Sequence, residues 1–160
     1  MNETAYFASG CFWGTEYWFI KNSGVLETEA GYMGGNLENP TYEDVMTGNT
    51  GHVEAVRVVF NPEITSYESL VKLFFETHDF TQKNGQGPDL GSQYFSKIFY
   101  TTPEQKEVAE KIVFLLEKRG FDVTTEILPE SKFWPAEEYH QKYFIRNQKQ
   151  PYCHFRTVLF

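Results

Sequence analysis

Strand-length apolar runs alternate along this chain with helix-length amphipathic stretches, and turn-forming residues close nearly every run. A strand is expected at about residues 4–8, ahead of Ser9-Gly10. A helix over about 13–21 stops at Asn22-Ser23-Gly24. A strand over 25–32 runs into Gly34-Gly35, and one over 53–60 is closed by Asn61-Pro62. Ser66 caps a helix over 67–78 that carries Leu70, Leu73, Phe74 and Thr77 on one face. A strand follows at 94–100. The clearest helix spans 103–119: Thr102 caps it, Pro103 suits its first turn and Gly120 follows its last. A strand at 123–128 and a helix at 136–144 complete the order β-α-β-β-α-β-α-β-α, which calls for helices packed on a sheet in the α/β or α+β class. Residues 36–51, with one helical turn after Pro40, and 79–93 read as long loops, and long ordered loops are often functional.

The 160 residues suit a single domain, 1–160. A net charge of -8 argues against non-specific nucleic-acid binding. No apolar run approaches the ~20 residues that span a bilayer, and the N-terminus lacks the basic-then-apolar pattern of a signal peptide. The chain therefore reads as cytoplasmic and without a membrane partner. Its two cysteines, Cys11 and Cys153, are too far apart for a CxxC pair or a Cys-rich zinc site. In a reducing compartment they are either packing residues or redox-active ones. The aromatic share of 18% fills a core, or lines a pocket for a sulfur-bearing ligand.

Cys11 falls between a strand end and a helix start, where free N–H groups and the helix dipole favour a thiolate. Gly10 permits a tight turn, Gly14 permits close approach to the first helical turn, and Phe12 and Trp13 flank the sulfur. The competing reading is a buried thiol between core aromatics. Glu54 shares a strand face with Val56, Val58 and Phe60, while Arg57 lies on the other. A carboxyl group at the mouth of an apolar face is desolvated, its pKa rises, and it becomes a proton donor. Alternatively, the strand starts one residue later and Glu54 sits solvated at its rim. The loop 85–94 sets three glycines around Asp89 and ends in Gln93-Tyr94, either as ligand-orienting groups or as a turn-rich surface loop. Tyr42 carries the same ambiguity. Cys153 lies near an irregular C-terminus, where a thiol either reaches a reacting site or is simply packed or exposed.

Taken together, these segments resemble the A-type peptide methionine sulfoxide reductases. The resemblance rests on Gly10-Cys11-Phe12-Trp13-Gly14, then Gly31-Tyr32-Met33-Gly34-Gly35, Pro40-Thr41-Tyr42, Gly51-His52-Val53-Glu54-Ala55-Val56 and His78-Asp79, in that order. It continues through Thr81-Gln82, Gln86-Gly87, Asp89, Gly91, Gln93-Tyr94 and Tyr139-His140-Gln141-Lys142-Tyr143. It implies a two-layer α+β sandwich with a ferredoxin-like core and long loops. It also implies reduction of methionine S-sulfoxide, protein-bound or free, without metal or organic cofactor. Cys11 is then the nucleophile and Glu54 the acid. Tyr42 and Tyr94 bind the sulfoxide oxygen, Phe12 and Trp13 hold the terminal methyl group, and Asp89 orients the pocket or the substrate. Cys153 resolves the Cys11 sulfenic acid, and thioredoxin or a similar dithiol recycles the disulfide. Three positions depart from the family's usual pattern: Phe80 in place of Pro, and Gly85 and Phe95 in place of Arg. The two lost cations bear on substrate affinity and on the surroundings of Asp89.

Two other functions compete. One is a cysteine hydrolase or acyl transferase with His140 or His52 as base, which needs an imidazole within hydrogen-bond reach of the thiol. The other is a non-catalytic domain that binds methionine-containing peptides through its aromatic side chains.

Overall fold

The computed structural model describes residues 1–151 and 154–160, so Cys153 lies outside the described residues. Strand β1 (Glu3–Ser9) leads into α1 (Phe12–Ile20), β2 (Val25–Met33), the short α2 (Tyr42–Met46) and β3 (Val53–Phe60). Helix α3 (Tyr67–Glu76) follows, then the two-residue strands β4 (Gly85–Gln86) and β5 (Asp89–Leu90), and β6 (Ser96–Tyr100). Helix α4 (Pro103–Lys118), β7 (Glu126–Pro129), β8 (Trp134–Pro135) and α5 (Tyr143–Arg146) complete the chain.

The main sheet has the order β7-β6-β1-β3-β2-β8. Its centre, β6-β1-β3-β2, is antiparallel throughout. Helix α1 crosses from β1 to β2 and α3 from β3 to β6, which is the ferredoxin-like arrangement. Helix α4 returns the chain to lay β7 parallel to β6, and β8 adds an antiparallel edge beside β2. The alternation of strand side chains decides where each residue goes. On β3, Glu54, Val56, Val58 and Phe60 are buried and Arg57 is only partly so. Val56, Val58 and Phe60 join Phe7, Phe19, Leu70, Phe74 and Ile112 in the main core, while Val53 and Ala55 join Met33 and Phe99 in a second cluster.

Caps place the helices as expected. Ser66 accepts from the Ser69 N–H and Thr102 from the Gln105 N–H, each satisfying an otherwise orphaned donor. Helix α1 is held by the buried Glu16, whose carboxylate accepts from Thr28 Oγ1 (2.7 Å) and from the Lys142 N–H (2.7 Å). This ties the helix that starts beside Cys11 to both β2 and the C-terminal segment.

The structure differs from the sequence expectation in several places. The helix expected over 136–144 is a single turn of 3-10 helix (Glu138–His140) followed by α5. Gln141 explains the break: its side chain accepts from the Ala30 N–H and donates to the carbonyls of Ala30 and Ala136, pinning the segment to β2. Lys142 then takes a left-handed conformation (φ 52°) that no helix continues through. Residues 94 and 95 belong to a 3-10 turn (Ser92–Tyr94) and its cap, so the strand begins at Ser96. The strand expected from 123 begins at Glu126, because Thr124 bonds the Phe80 carbonyl through both its N–H and its hydroxyl. The long loop 79–93 contains the β4–β5 hairpin. Among the described residues, no helix is long and apolar enough to cross a membrane.

Candidate active site

Cys11 is the N-cap of α1 and is buried at 8% exposure. Its carbonyl accepts from the Gly14 and Thr15 N–H groups (3.1 and 3.3 Å), which closes the first helical turn. The next N–H, that of Phe12, has no partner within the helix and donates to Glu54 Oε1 at 3.1 Å. A carboxyl group is thereby fixed one residue from the thiol.

Register puts Glu54 there. Antiparallel pairing sets Tyr32 directly across from it on β2, and β1, which delivers Cys11, is the other neighbour of β3. Glu54 is 2% exposed, and its Oε2 is buried without a hydrogen-bond partner among the described residues. Burial holds its pKa well above the usual carboxylate range; Cys11 and Asp89 push it further and the Phe12 N–H only partly opposes them. Burial thus favours the neutral acid over the carboxylate, and Oε1 is engaged by Phe12 while Oε2 is not engaged by the described residues. The rim-solvated alternative for Glu54 does not apply.

Tyr42 opens α2, and Tyr94 closes the 3-10 turn before β6. Burial raises the pKa of the Tyr42 phenol first; Glu54 and Cys11 add to the shift, and the neighbouring Tyr94 hydroxyl opposes it. Tyr94 is raised by burial first, then by Glu54, Tyr42, Asp89 and Cys11. Both phenols therefore remain protonated donors facing the same thiol and carboxyl group. Tyr94 and Cys11 form their own small apolar cluster, with Trp13 packed against it. Asp89 is partly buried, its Oδ2 has no hydrogen-bond partner among the described residues, and burial raises its pKa while His154 lowers it.

Phe12 is 1% exposed and packs on Tyr32 and His140 (ring centroids 5.6 and 5.0 Å), so it is a core residue that also walls the site. Trp13 stacks on Tyr143 at 3.7 Å and donates from its indole to His140 Nδ1 at 2.9 Å. The two histidines considered as bases are occupied. The acceptor nitrogen of His140 is taken by Trp13. His52 accepts from the Gly35 N–H at Nδ1 (3.0 Å), so its Nε2–H donates to the Leu37 carbonyl (2.8 Å). A neutral imidazole has one acceptor nitrogen, and in both rings it is already used. The group held beside Cys11 is the Glu54 carboxyl.

Cys153 lies outside the described residues, but its neighbour His154 is 1% exposed, with Nε2 2.6 Å from the Ser9 carbonyl. Gly14 makes room for it: a Cβ there would collide with the imidazole. Further on, the Glu76 carboxylate accepts from the Arg156 guanidinium and from the N–H groups of Leu159 and Phe160.

The three departures each make local contacts of their own. Phe80 packs edge-on against Phe75 and Phe121. Phe95 packs against the second core cluster. A side chain at Gly85 would strike the Asp89 carbonyl across the β4–β5 pair.

Sequence reasoning missed several supporting groups. Glu137 accepts from the Tyr32 hydroxyl (2.8 Å) and the Tyr42 N–H (2.9 Å), linking the cross-strand neighbour of Glu54 to α2. Gln86 clasps Asp79, accepting from its N–H and donating to its carbonyl, both at 2.7 Å. Met46, at the end of α2, receives the Tyr94 hydroxyl at 3.4 Å. Glu137 stands three residues before His140 and Met46 one turn after Tyr42, but neither spacing carries a chemical signal by itself.

Residues 3–159 match the family described as Peptide methionine sulfoxide reductase. Over 145 residues the chain is 50% identical to the "Peptide methionine sulfoxide reductase MsrA" of Methanococcus maripaludis, covering 90% of this chain and 92% of that one. Mxr1 from Saccharomyces cerevisiae in reduced form superposes with a TM-score of 0.89 at 32% identity, covering 97% of this chain and 92% of the other. Mxr1 in complex with Trx2 shares the fold at a TM-score of 0.64 and 23% identity, with 97% and 89% covered.

Proposed function

The chain belongs to the peptide methionine sulfoxide reductase family, and on that premise we propose that Cys11 is the nucleophile and Glu54 the acid of a methionine S-sulfoxide reductase. The observation that carries this reading is the buried carboxyl group bonded to the Phe12 N–H, with its second oxygen unengaged by the described residues.

The Cys11 thiolate attacks the electrophilic sulfoxide sulfur. As charge builds on the sulfoxide oxygen, Glu54 transfers its proton there. The Tyr42 and Tyr94 hydroxyls donate to the same oxygen and stabilise the developing charge without reorganising. The sulfur–oxygen bond of the substrate and the transient bond between the two sulfurs both break as the hydroxyl passes to the Cys11 sulfur. Methionine leaves reduced, with Cys11 oxidised to a sulfenic acid. Phe12 and Trp13 wall the substrate methyl group, and Asp89 orients the pocket. The Cys153 thiol then displaces water from the sulfenic acid to form a Cys11–Cys153 disulfide. Thioredoxin or another external dithiol reduces that bond by exchange and is itself oxidised. No metal or organic cofactor enters the scheme.

Residues 1–160 act as one catalytic domain, and a redox cycle carried by two thiols outside a CxxC motif suits a reducing cytoplasm. Free and protein-bound sulfoxide present the same reacting group. An assay with each methionine sulfoxide epimer tests the reading: the intact chain should consume the S epimer and Cys11→Ser should consume neither. Turnover by Cys11→Ser would overturn it.

A further inference from the structure

Met46 has no place in the mechanism above, yet it touches it. It is the last residue of α2, one helical turn after Tyr42, and it is 38% exposed. Its Sδ accepts the Tyr94 hydroxyl at 3.4 Å, and Gln93 Nε2 lies 3.8 Å from the same sulfur. The surrounding backbone is fixed: Val45 is fully buried, Glu137 holds the start of α2, and Ser92 Oγ bonds the Gly48 carbonyl at 3.4 Å. A thioether is a weak acceptor. A hydroxyl assigned to a sulfoxide oxygen thus lies, in the substrate-free protein, beside a methionine sulfur of the same chain as well as beside Tyr42.

We propose that Met46 is an oxidation site whose sulfoxide is reduced in cis by the Cys11 centre. The inference rests on the reading under Proposed function. Hydrogen peroxide is the oxidant. The Met46 sulfur takes one peroxide oxygen, the O–O bond breaks, and the peroxide leaves as water; the thioether is oxidised to the sulfoxide. The new oxygen is a far better acceptor than sulfur and draws the hydrogen bond of Tyr94. The Cys11 thiolate then attacks the Met46 sulfur, Glu54 supplies the proton, and the sulfur–oxygen bond breaks. Met46 returns to the thioether and Cys11 becomes the sulfenic acid, which recycles as it does after any other substrate. While Met46 is oxidised it holds a donor that an external sulfoxide needs, so peroxide exposure produces a lag that ends as Met46 is repaired.

Peptide mass spectrometry after peroxide treatment tests this, with dithiothreitol added afterwards as reductant. In Cys11→Ser, Met46 should keep one added oxygen under dithiothreitol. In the intact chain the S-epimer share of that oxygen should disappear at a rate independent of protein concentration, because the reacting groups share one chain, while the R-epimer share stays. Mixing peroxide-treated Cys11→Ser with untreated intact chain measures repair in trans, which should be slower by about ten-fold or more at micromolar concentration. Met46→Leu should abolish the lag after peroxide. Intact chain alkylated at its thiols replaces Cys11→Ser if that variant does not fold. Failure of Met46 to oxidise while exposed Met1 does, persistence of the whole of its added oxygen in the intact chain, or repair only at a concentration-dependent rate would each overturn the proposal. If the intact chain reduces added methionine sulfoxide but not oxidised Met46, this inference alone fails. If it reduces neither, the underlying reading fails with it.

Discussion

The Phe12 backbone N–H donates to Glu54 Oε1 at 3.1 Å, so the first free donor of α1 holds the carboxyl group beside the thiol that caps the same helix. The bond does two things. It fixes the distance between acid and nucleophile by backbone geometry, and it leaves the other carboxyl oxygen to carry the proton.

Replacing Glu54 by Gln keeps the volume and the acceptor for Phe12 but removes the transferable proton. Single-turnover reduction should slow by about 10²-fold or more, the range of general acid catalysis. In the intact chain the same rate should fall as pH rises through the elevated Glu54 pKa. The variant should lose that alkaline limb. Rapid-quench measurement across pH checks both, and an unchanged rate or limb would remove Glu54 as the acid.

The same shift has a stability consequence. Glu54 is protonated in the fold above the pH at which it ionises in the unfolded chain, so its contribution is fully present below about pH 4.3 and is lost as pH rises through the folded pKa. Glu54→Gln should lack this loss. Urea unfolding of the two proteins across that window should show their stabilities diverging, and parallel curves would mean that Glu54 is not held neutral.

Tyr42→Phe and Tyr94→Phe each remove one donor to the sulfoxide oxygen while leaving the rings packed. Each should lower kcat by about 10²-fold, as for other donors to a developing oxyanion, with a smaller effect on KM. Steady-state kinetics of both variants and of the double variant check this. A change confined to KM would place the phenols in substrate binding alone.

Gly14→Ala reverses the usual expectation for a helix. Alanine in place of glycine ordinarily gains about 1 kcal/mol in a helix interior. Here the new Cβ would run into the His154 imidazole, and such overpacking costs about 1–3 kcal/mol. A lower urea midpoint is expected, and a higher one would show that His154 yields without cost.

Burial lowers the His154 pKa to about 4 and that of His78 to about 3. Both pKa values lie below the unfolded value, so the stability they carry is complete above about pH 6.5 and is lost as pH falls toward the folded values. For His154 alone the loss between pH 7 and pH 5 is about 2 kcal/mol. Imidazole resonances that stay neutral at pH 5 would agree; titration of either ring near pH 6.5 would not.

Much of this was legible in the residues. Local patterns placed Cys11 at a helix start and Glu54 on the buried face of β3, because strand alternation and capping are short-range rules. The fragments from Gly10 to Tyr143 pointed to the family that the comparisons then showed. What was not legible depends on contacts between distant segments. The helix expected over 136–144 is broken because Gln141 bonds Ala30, more than a hundred residues away. The role of Glu137 depends on the Tyr32 hydroxyl and the Tyr42 N–H meeting one carboxylate. The contact between Met46 and Tyr94 exists only once α2 meets the turn before β6.

The most direct measurement is a single turnover with S-methionine sulfoxide and no added reductant, counting methionine released per chain. Cys153→Ser should release about one equivalent, since one thiol accepts one oxygen as a sulfenic acid, and Cys11→Ser should release none. Methionine released by Cys11→Ser, or none by Cys153→Ser with Cys11 intact, would contradict the account.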